Sequence, residues 1–448
     1  MPVAGSPPRH PARGLRTTMD VTLFLLGPLI ILLLLGQHIA FALLLSAFLG
    51  YYLLLGGPLP RTIGVTSFNL TYNFVLTAIP LFIFMGEIIL RTGFSGRLYR
   101  GLSRWFQLLP GGLLHSNIAA CGLFSAVSGS SVATAAAIGT VALPELEQRK
   151  YDGKLATGSL AAGGTLGPLI PPSIAFIIYG VITETSIVRL FMAGVFPGLL
   201  LAGLFMAYIG MRVVMNRSLV PRDEPVSWSA RLRGTVEVVP IVVLMVIVLG
   251  GIYAGIMTPT EAAAVGAFGA LLMAAAFRTL SWQVLRDALI ETARSTAFIM
   301  FIIVGAMLLG VVLANLRIPA ALADMVLAAP LTPLMVMLLI YAIYFVMGIF
   351  FDGISMMIIT LPVIFPVVVA LGYDPVWFGV AFVIIMEVGL LTPPVGLNLY
   401  VIHGIARHRP FSEVAIGSAP FFVAMLVALA IVHAVPALSL WLPSVLLG

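Results

Sequence analysis

Long apolar runs dominate this 448-residue chain and constrain its fold more than any other feature. Only 9% of the residues are charged and 61% are hydrophobic, whereas a soluble globular protein carries about 25% charged residues. Too few polar side chains remain to cover a surface that faces water. Helices satisfy their own backbone hydrogen bonds in lipid, whereas a transmembrane barrel shows short alternating strands. The pattern therefore predicts an all-α polytopic membrane protein.

The apolar runs divide into single crossings and two longer stretches. Runs suited to one crossing lie at residues 20–36, 38–56, 70–90, 156–182, 190–213, 236–257, 261–277, 296–314, 376–404 and 418–442. The stretches 111–144 and 333–373 are too long, since each would measure about 50 Å as one helix against a hydrocarbon core of about 30 Å. Each has a polar, glycine-containing break near its middle. We expect both to be re-entrant helical hairpins.

The basic residues indicate topology rather than a nucleic acid partner. They lie in short loops between apolar runs and form no basic face with stacking aromatic residues. Both flanks of 111–144 are basic, which places both ends of that hairpin in the cytoplasm. Residues 1–18 break the pattern, and we expect a disordered extension or a misassigned start, with Met19 as the true one. The alternative is a signal peptide cleaved near Ala40-Phe41-Ala42.

A search for duplication finds ordered pairs of small motifs. The pairs are Gly86 with Gly310 and Ser128-Gly129 with Asp352-Gly353 at an offset of 224 residues, Leu143-Pro144 with Leu361-Pro362 at 218, and Gly167 and Pro171-Pro172 with Gly389 and Pro393-Pro394 at 222. We predict two inverted-topology repeats, 19–213 and 236–448, joined by a cytoplasmic linker, 214–235. Each repeat would contain a hairpin and a helix broken at Pro-Pro, 156–182 or 376–404. This architecture is typical of secondary transporters.

The polar breaks hold the candidate residues for binding substrate and ions. Glycine permits tight reversals, proline removes a backbone donor, and hydroxyls with freed carbonyls can coordinate a desolvated ion. The candidates are Ser128, Gly129, Ser130, Ser131, Gly163, Gly164, Thr165, Gly167, Pro171, Pro172, Ser173, Asp352, Gly353, Glu387, Gly389, Thr392, Pro393, Pro394 and Asn398. The alternatives are close helix packing by small residues and ordinary proline kinks.

Two of these candidates, Asp352 and Glu387, are acidic residues at membrane depth. A charge there costs several kcal/mol unless it is paired or hydrated, so an ionisable residue indicates function. Asp352 could ligate a cation, hydrogen-bond the hairpin tip or carry a proton, and Glu387 could instead make a structural hydrogen bond to the hairpin. No lysine or arginine falls within a core span. An anionic substrate would then depend on helix N-termini, hydroxyls, amides and bound cations.

Several motifs together resemble one family, the large membrane subunit of the tripartite ATP-independent periplasmic (TRAP) transporters. The similarity runs from about Met19 to the C-terminus. The motifs that carry it are Phe84-Met85-Gly86, Pro110-Gly111-Gly112, Ser128-Gly129-Ser130-Ser131-Val132-Ala133-Thr134, Gly164-Thr165-Leu166-Gly167, Ile170-Pro171-Pro172-Ser173, Tyr179-Gly180, Thr258-Pro259-Thr260-Glu261-Ala262-Ala263-Ala264 and Leu391-Thr392-Pro393-Pro394-Val395-Gly396.

The resemblance implies an elevator-type, sodium-coupled importer of organic acids in a bacterial inner membrane. Its expected partners are a small four-helix membrane subunit on a separate chain and a periplasmic substrate-binding protein. Its expected substrates are carboxylates such as C4-dicarboxylates, sialic acids, keto acids or sugar acids. No cofactor is expected beyond the coupling ions. The candidate sodium ligands, through side chain or backbone, are Ser128, Ser130, Thr165, Asp352 and Thr392.

Three other functions compete with this one. The nearest is a binding-protein-independent anion symporter, coupled to sodium or protons. An intramembrane serine protease would use Ser130 as nucleophile, but it needs a histidine base within about 3 Å, and most of the six histidines lie near helix ends. A channel fits poorly, since paired inverted hairpins favour alternating access. We therefore expect a transporter and no enzyme.

Overall fold

The computed structural model describes residues 25, 27–33, 35–55, 64–65, 67–69, 72–221 and 226–448. The predictions for residues 1–18 and for the start of the first apolar run lie outside the described residues. Where it is described, the chain is mainly helical and contains no β-strand. The predicted all-α class is confirmed.

Helices account for nearly all of the predicted apolar runs. The first half contains α1 (Ile39–Gly50), α2 (Ala78–Arg91), α3 (Phe94–Phe106), α4 (Leu113–Ser128), α5 (Ser131–Gln148), α6 (Gly153–Gly164), α7 (Ile174–Thr183) and α8 (Ile187–Met215). The second half contains α9 (Trp228–Tyr253), α10 (Pro259–Ala276), α11 (Trp282–Asn315), α12 (Ile318–Ala328), α13 (Pro333–Phe350), α14 (Gly353–Ala370), α15 (Pro375–Leu390), α16 (Leu397–Ile405), α17 (Phe411–Ala434) and α18 (Ala437–Leu447).

Eight helices within the described residues are long and apolar enough to cross a membrane. They are the segment Phe74–Arg91 with helices α8, α9, α10, α11, α13, α14 and α17. The stretches predicted to be hairpins are helix pairs, α4 with α5 and α13 with α14, and each pair is separated by two residues. The stretches predicted to be broken helices are also pairs, α6 with α7 and α15 with α16.

Two features differ from the sequence expectation. The run 418–442 is two helices, α17 and α18, because the chain leaves the helix at Val435 and Pro436. Basic residues expected in loops lie instead on α3, an amphipathic helix that buries Phe94, Leu98 and Tyr99. Such a helix is too polar to stand out as an apolar run. Its Arg104 forms an ion pair at 3.0 Å with Glu237 of α9.

Two pairs of helix starts repeat at the same spacing in the two halves. Ser131 and Gly353 begin α5 and α14, and Gly153 and Pro375 begin α6 and α15, with an offset of 222 residues each time. Asp352, the residue before α14, therefore corresponds to Ser130. The sequence analysis had paired it with Ser128 instead. The inverted orientation of the halves and their boundaries stay predictions.

Internal contacts divide the chain into two compact units. The first comprises Met1–Asn73, Ala297–Val336 and Met357–Gly372. In this unit α1 packs closely on α11, where a Cβ added to Gly305 would lie 3.0 Å from the Cβ of Leu43. The rings of Phe41 and Phe301 meet edge to face with their centroids 5.1 Å apart. Small and aromatic residues thus alternate along this helix contact.

The second unit comprises Phe74–Thr296, Met337–Met356 and Tyr373–Gly448 and contains every candidate site residue. Its helices α6 and α17 approach each other through glycines. A Cβ added to Gly158 would lie 2.2 Å from the carbonyl oxygen of Gly417, and one added to Gly417 would lie 2.1 Å from the carbonyl oxygen of Lys154. Small residues at such crossings allow backbones to approach closely in a membrane protein. This contact fixes the helix that leads into the first break.

We expect Gly158→Ala to destabilise the protein by about 1–3 kcal/mol, because the added methyl group must push α6 away from α17. The measurement is the melting temperature of the purified chain in detergent. Gly203→Ala in α8 is the matched control, since no atom lies within 4 Å of its Cβ position. Equal melting temperatures for the two variants would contradict the packing described for Gly158.

Candidate functional site

The tip of the first hairpin is a two-residue reversal held by its own hydroxyls. Helix α4 ends at Ser128, and Gly129 adopts the left-handed conformation with φ 58°. Ser130 then caps α5, because its side-chain oxygen accepts a hydrogen bond from the Ala133 amide at 3.4 Å. The hydroxyls of Ser128 and Thr134 lie 2.7 Å apart across the tip. The tip is therefore lined by backbone groups and hydroxyls.

This first tip packs directly on the break between α6 and α7. A Cβ added to Gly167 would lie 2.6 Å from the carbonyl carbon of Ser130, and one added to Gly129 would lie 2.9 Å from the carbonyl oxygen of Pro172. Both contacts join backbone to backbone. The structure thus brings together the first two groups of candidate residues, the hairpin tip and the residues between Gly163 and Ser173.

The break itself is ordered by two side chains. The Thr165 hydroxyl donates to the carbonyl oxygen of Ala162 at 2.6 Å, and the Ser173 hydroxyl accepts from the Phe176 amide at 3.3 Å to begin α7. The Pro171-Pro172 peptide between them is cis. Thr165 and Ser173 are completely buried. The Ser173 hydroxyl thus pairs an amide that the helix interruption leaves free, whereas the Ala162 carbonyl also accepts from the Thr165 amide at 3.0 Å.

The tip of the second hairpin is closed by an acidic cap. Asp352 precedes α14, and its Oδ1 accepts a hydrogen bond from the Ser355 amide at 2.9 Å. The Ser355 hydroxyl donates to its Oδ2. Next to it, a Cβ added to Gly353 would lie 2.4 Å from the sulfur of Met386 on α15. The second tip therefore rests on α15 just before the second break.

The second break resembles the first in its backbone. Helix α13 crosses α15 at glycines, and a Cβ added to Gly348 would lie 2.9 Å from the Cα of Gly389. The Thr392 hydroxyl donates to the carbonyl oxygen of Val388 at 2.7 Å. The Pro393-Pro394 peptide is cis. A threonine again donates to a carbonyl in the last turn of the interrupted helix, and this carbonyl also accepts from the Leu391 amide at 3.3 Å.

Ser131 joins the first hairpin to the second broken helix. Its hydroxyl donates to Oε2 of Glu387 on α15 at 2.7 Å and accepts from Nδ2 of Asn398 on α16 at 2.6 Å. Nδ2 of Asn398 also lies 3.4 Å from the carbonyl oxygen of Ala161 on α6. All three side chains are buried. We call Ser131, Glu387 and Asn398 the serine hub.

The candidate residues thus form two neighbourhoods rather than one. The first tip, the first break and the serine hub are in contact, whereas the hydrogen bonds recorded for Asp352 remain within its own tip. Two residues of the tips, Thr134 and Ser355, were missed by the sequence analysis. Ser355 follows Asp352 by three residues, which is the spacing of a helix cap and its bonded amide. That spacing could have identified it.

The geometry does not support a serine protease. Ser130 acts as a helix cap, and its recorded hydrogen bonds within the described residues go to no histidine. The nearest histidine in the sequence, His115, lies with its Nε2 2.9 Å from the carbonyl oxygen of Pro110. A nucleophile without an adjacent base is not activated.

Comparisons with known proteins agree on one family. The family model described as "Tripartite ATP-independent periplasmic transporter, DctM component" matches residues 26–438. The chain is 38% identical over 387 residues to the C4-dicarboxylate TRAP transporter large permease protein DctM of Pseudomonas aeruginosa, covering 86% of this chain and 90% of that protein. It is 36% identical over 412 residues to the ectoine/5-hydroxyectoine TRAP transporter large permease protein UehC of Ruegeria pomeroyi, covering 91% and 95%.

A solved structure shares the fold. The crystal structure of the YdaH transporter of Alcanivorax borkumensis is similar with a TM-score of 0.63, covering 97% of this chain and 98% of that one. The sequences are 14% identical, so this likeness concerns the fold alone.

We expect Ser355→Ala to loosen the second tip, because Asp352 then loses its hydroxyl donor. Loss of one such hydrogen bond to a charged group costs about 1.5–3 kcal/mol. Hydrogen–deuterium exchange of residues 348–356 should become faster by about tenfold or more, whereas Ser355→Thr, which keeps the hydroxyl, should exchange like the wild type. Equal protection in all three proteins would contradict the role given to this bond.

Proposed function

The chain belongs to the DctM component family of the tripartite ATP-independent periplasmic transporters, and we propose that it imports an organic acid by sodium-coupled alternating access. This membership confirms the resemblance drawn from the sequence motifs. The chain is a multi-pass inner-membrane protein, given its eight apolar helices and its relatives. The relatives are named as permease subunits of transporters, so it is a transport protein and no enzyme.

The observation that carries the proposal is the pairing of each hairpin tip with a helix break. The first tip touches the break at Gly167, and the second tip touches α15 at Met386, just before the other break. Non-helical backbone at membrane depth is tolerated only where it is buried in protein or lines a cavity. In secondary transporters, discontinuous helices of this kind supply dipole ends and free carbonyls to ions and substrates. Alternating access by an elevator motion is part of the proposal.

Sodium is the proposed coupling ion, and its proposed ligands are oxygens at these places. The hydroxyls of Thr165 and Thr392 each donate a hydrogen bond to a carbonyl of the preceding turn. Their hydroxyl oxygens keep lone pairs that can face a cation. Ser128, Ser130 and Asp352 would add oxygens at the two tips. The same residues that stabilise the interrupted helices would thus form the ion sites.

The proposed substrate is a carboxylate. The polar side chains at the breaks are hydroxyls, an amide and carboxyl groups, and the site candidates include no lysine or arginine. An anion there would lack a fixed cation, and burial of an unpaired charge is costly. Bound sodium ions would neutralise it. A relative named for C4-dicarboxylates supports this substrate class.

The proposed partners follow from the tripartite family. A periplasmic binding protein would deliver the substrate, and a small membrane subunit would complete the complex. The relatives are named as large permease proteins, which supports a smaller counterpart. The alternative remains an anion symporter that works without a binding protein and uses sodium or protons.

We expect the chain reconstituted alone in liposomes to show little uptake of a C4-dicarboxylate. Uptake should appear when the small subunit and the loaded binding protein are added, because delivery by that protein is part of the transport cycle. The measurement is radiolabelled substrate accumulation with each component omitted in turn. Comparable uptake by the isolated chain would favour the independent symporter.

We expect uptake to require an inward sodium gradient and to depend on Asp352. Asp352→Asn removes a charge while keeping nearly the same shape, so the sodium concentration for half-maximal uptake should rise by about tenfold or more. Capture of the substrate by the periplasmic protein should not change. Asp324→Asn, the same substitution at an exposed residue of α12, should behave like the wild type.

Three results would argue against parts of the proposed sodium coupling. Normal sodium dependence of Asp352→Asn with a lower melting temperature would mean that Asp352 only caps the tip. A normal response of Ser130→Ala to sodium would exclude the Ser130 hydroxyl as a ligand. Unchanged uptake in sodium-free buffer that follows a proton gradient would overturn sodium coupling itself.

A further inference from the structure

The serine hub contains a buried acid whose second oxygen lacks a partner. Glu387 is 1% exposed and Asn398 is fully buried. The Ser131 hydroxyl donates a hydrogen bond to Oε2 of Glu387. The Asn398 amide donates to the Ser131 hydroxyl and to the Ala161 carbonyl. Oε1 of Glu387 and Oδ1 of Asn398 have no hydrogen-bond partner among the described residues. Two buried acceptors with no donor are a costly arrangement.

Among the residues that the structure describes, no basic side chain forms an ion pair with Glu387. The elements packed against α15 do carry titratable groups, but these contact other residues. The rings of Tyr344 and Tyr179 contact the ring of Phe382. The ring of His433 contacts Trp377, and that of His403 contacts Phe411. The Asp352 carboxylate accepts a hydrogen bond from Ser355. The only hydrogen bond recorded for the Glu387 carboxyl comes from the neutral Ser131 hydroxyl. An isolated charge in such a place is strongly disfavoured.

We propose that Glu387 is a proton site of the transport cycle, and that it holds a proton on Oε1 whenever the serine hub is closed as it is here. The inference rests on the proposed transport function and adds to it a second ionic dependence. A proton turns Oε1 from an acceptor into a donor. Asn398 offers an unused acceptor, and both groups are bonded to the same Ser131 hydroxyl. A proton on Oε1 therefore removes the uncompensated charge and replaces one unpaired acceptor with a donor.

A proton fits this place better than a sodium ion. The hydrogens around the carboxyl, from the Ser131 hydroxyl and the Asn398 amide, point at oxygen atoms within the hub. A cation would lie beside these donors and, within the described part of the chain, would find two unpaired side-chain oxygens in the hub, Oε1 of Glu387 and Oδ1 of Asn398. A hard cation needs several oxygen ligands, whereas a proton needs only one.

The hub joins helices that belong to opposite ends of the sequence, so its closure has consequences for transport. Ser131 and Glu387 are 256 residues apart, and Ser131 and Asn398 are 267 apart. Removing the proton leaves a bare carboxylate inside the closed hub, which favours opening. Sodium-driven uptake should therefore slow as pH rises. The protonated fraction of Glu387 falls about tenfold for each pH unit above the pH at which the group is half-protonated.

The decisive variant is Glu387→Gln, because its amide imitates the protonated acid. The amide oxygen can accept from Ser131, and the amide nitrogen places a permanent donor at the position of Oε1. The complex of this chain, its small subunit and the binding protein is assayed for uptake at saturating sodium from neutral to alkaline pH. Wild-type uptake should fall with rising pH, whereas uptake by Glu387→Gln should stay level.

Two further variants complete the test. Glu291→Gln changes an exposed ion pair with Arg294 on α11 and should keep the wild-type pH profile. Ser131→Ala keeps the carboxyl, so its uptake should still fall with rising pH. Should Glu387→Gln transport too slowly to measure, melting temperatures replace uptake: the wild type should melt at lower temperature as pH rises, and Glu387→Gln should change less.

Three outcomes overturn the proposal. A pH profile of Glu387→Gln that follows the wild type means that the proton is held elsewhere. A higher sodium concentration for half-maximal uptake in Glu387→Gln, with the pH profile unchanged, makes Glu387 a sodium ligand. Equal changes of melting temperature with pH in both proteins mean that the buried acid carries no proton. A wild type that needs no sodium at all contradicts the proposed function instead.

Discussion

The structure depends on one constraint, the need to satisfy backbone polar groups wherever a helix is interrupted inside a membrane protein. Each interruption frees amides and carbonyls that lipid cannot bond. Ser130, Ser173 and Asp352 accept from freed amides at the starts of α5, α7 and α14. Thr165 and Thr392 add a hydroxyl donor to carbonyls in the last turns of α6 and α15. Short polar side chains thus stabilise the breaks at which the binding sites are proposed.

The second requirement is that the tips and breaks approach one another closely. At Gly167 and Gly348 the neighbouring backbone is nearer than a Cβ would tolerate. Separate segments of backbone therefore contact each other directly at these glycines, as α6 and α17 do at Gly158 and Gly417. The glycines and the capping residues act together. The glycines permit the close approach of the backbones, and the capping residues form hydrogen bonds with backbone groups that would otherwise be unpaired.

The sequence was informative wherever composition changes abruptly along the chain. Gly129 and Asp352 interrupt long apolar stretches, so both helix pairs could be located, and the Pro-Pro pairs marked both breaks. Helix α3 was missed because its arginines hide its apolar face, and the end of α17 was missed because Pro436 lies among apolar residues. The bonds of Ser131 to Glu387 and Asn398 join residues over 250 positions apart. No local pattern encodes such a contact.

The proposed proton on Glu387 also bears on the proposed sodium coupling, through the number of sodium ions that the carrier would bind. An ionised Glu387 would place a second fixed negative charge in the unit that already holds Asp352, and a carboxylate substrate would add more. Each extra negative charge would need its own cation before the site could close in low dielectric. A protonated Glu387 removes one charge without recruiting an ion from the periplasm. Sodium ions would then be left to compensate Asp352 and the substrate, so in the proposed cycle the stoichiometry of coupling would depend on the protonation of a residue that is not among the proposed sodium ligands.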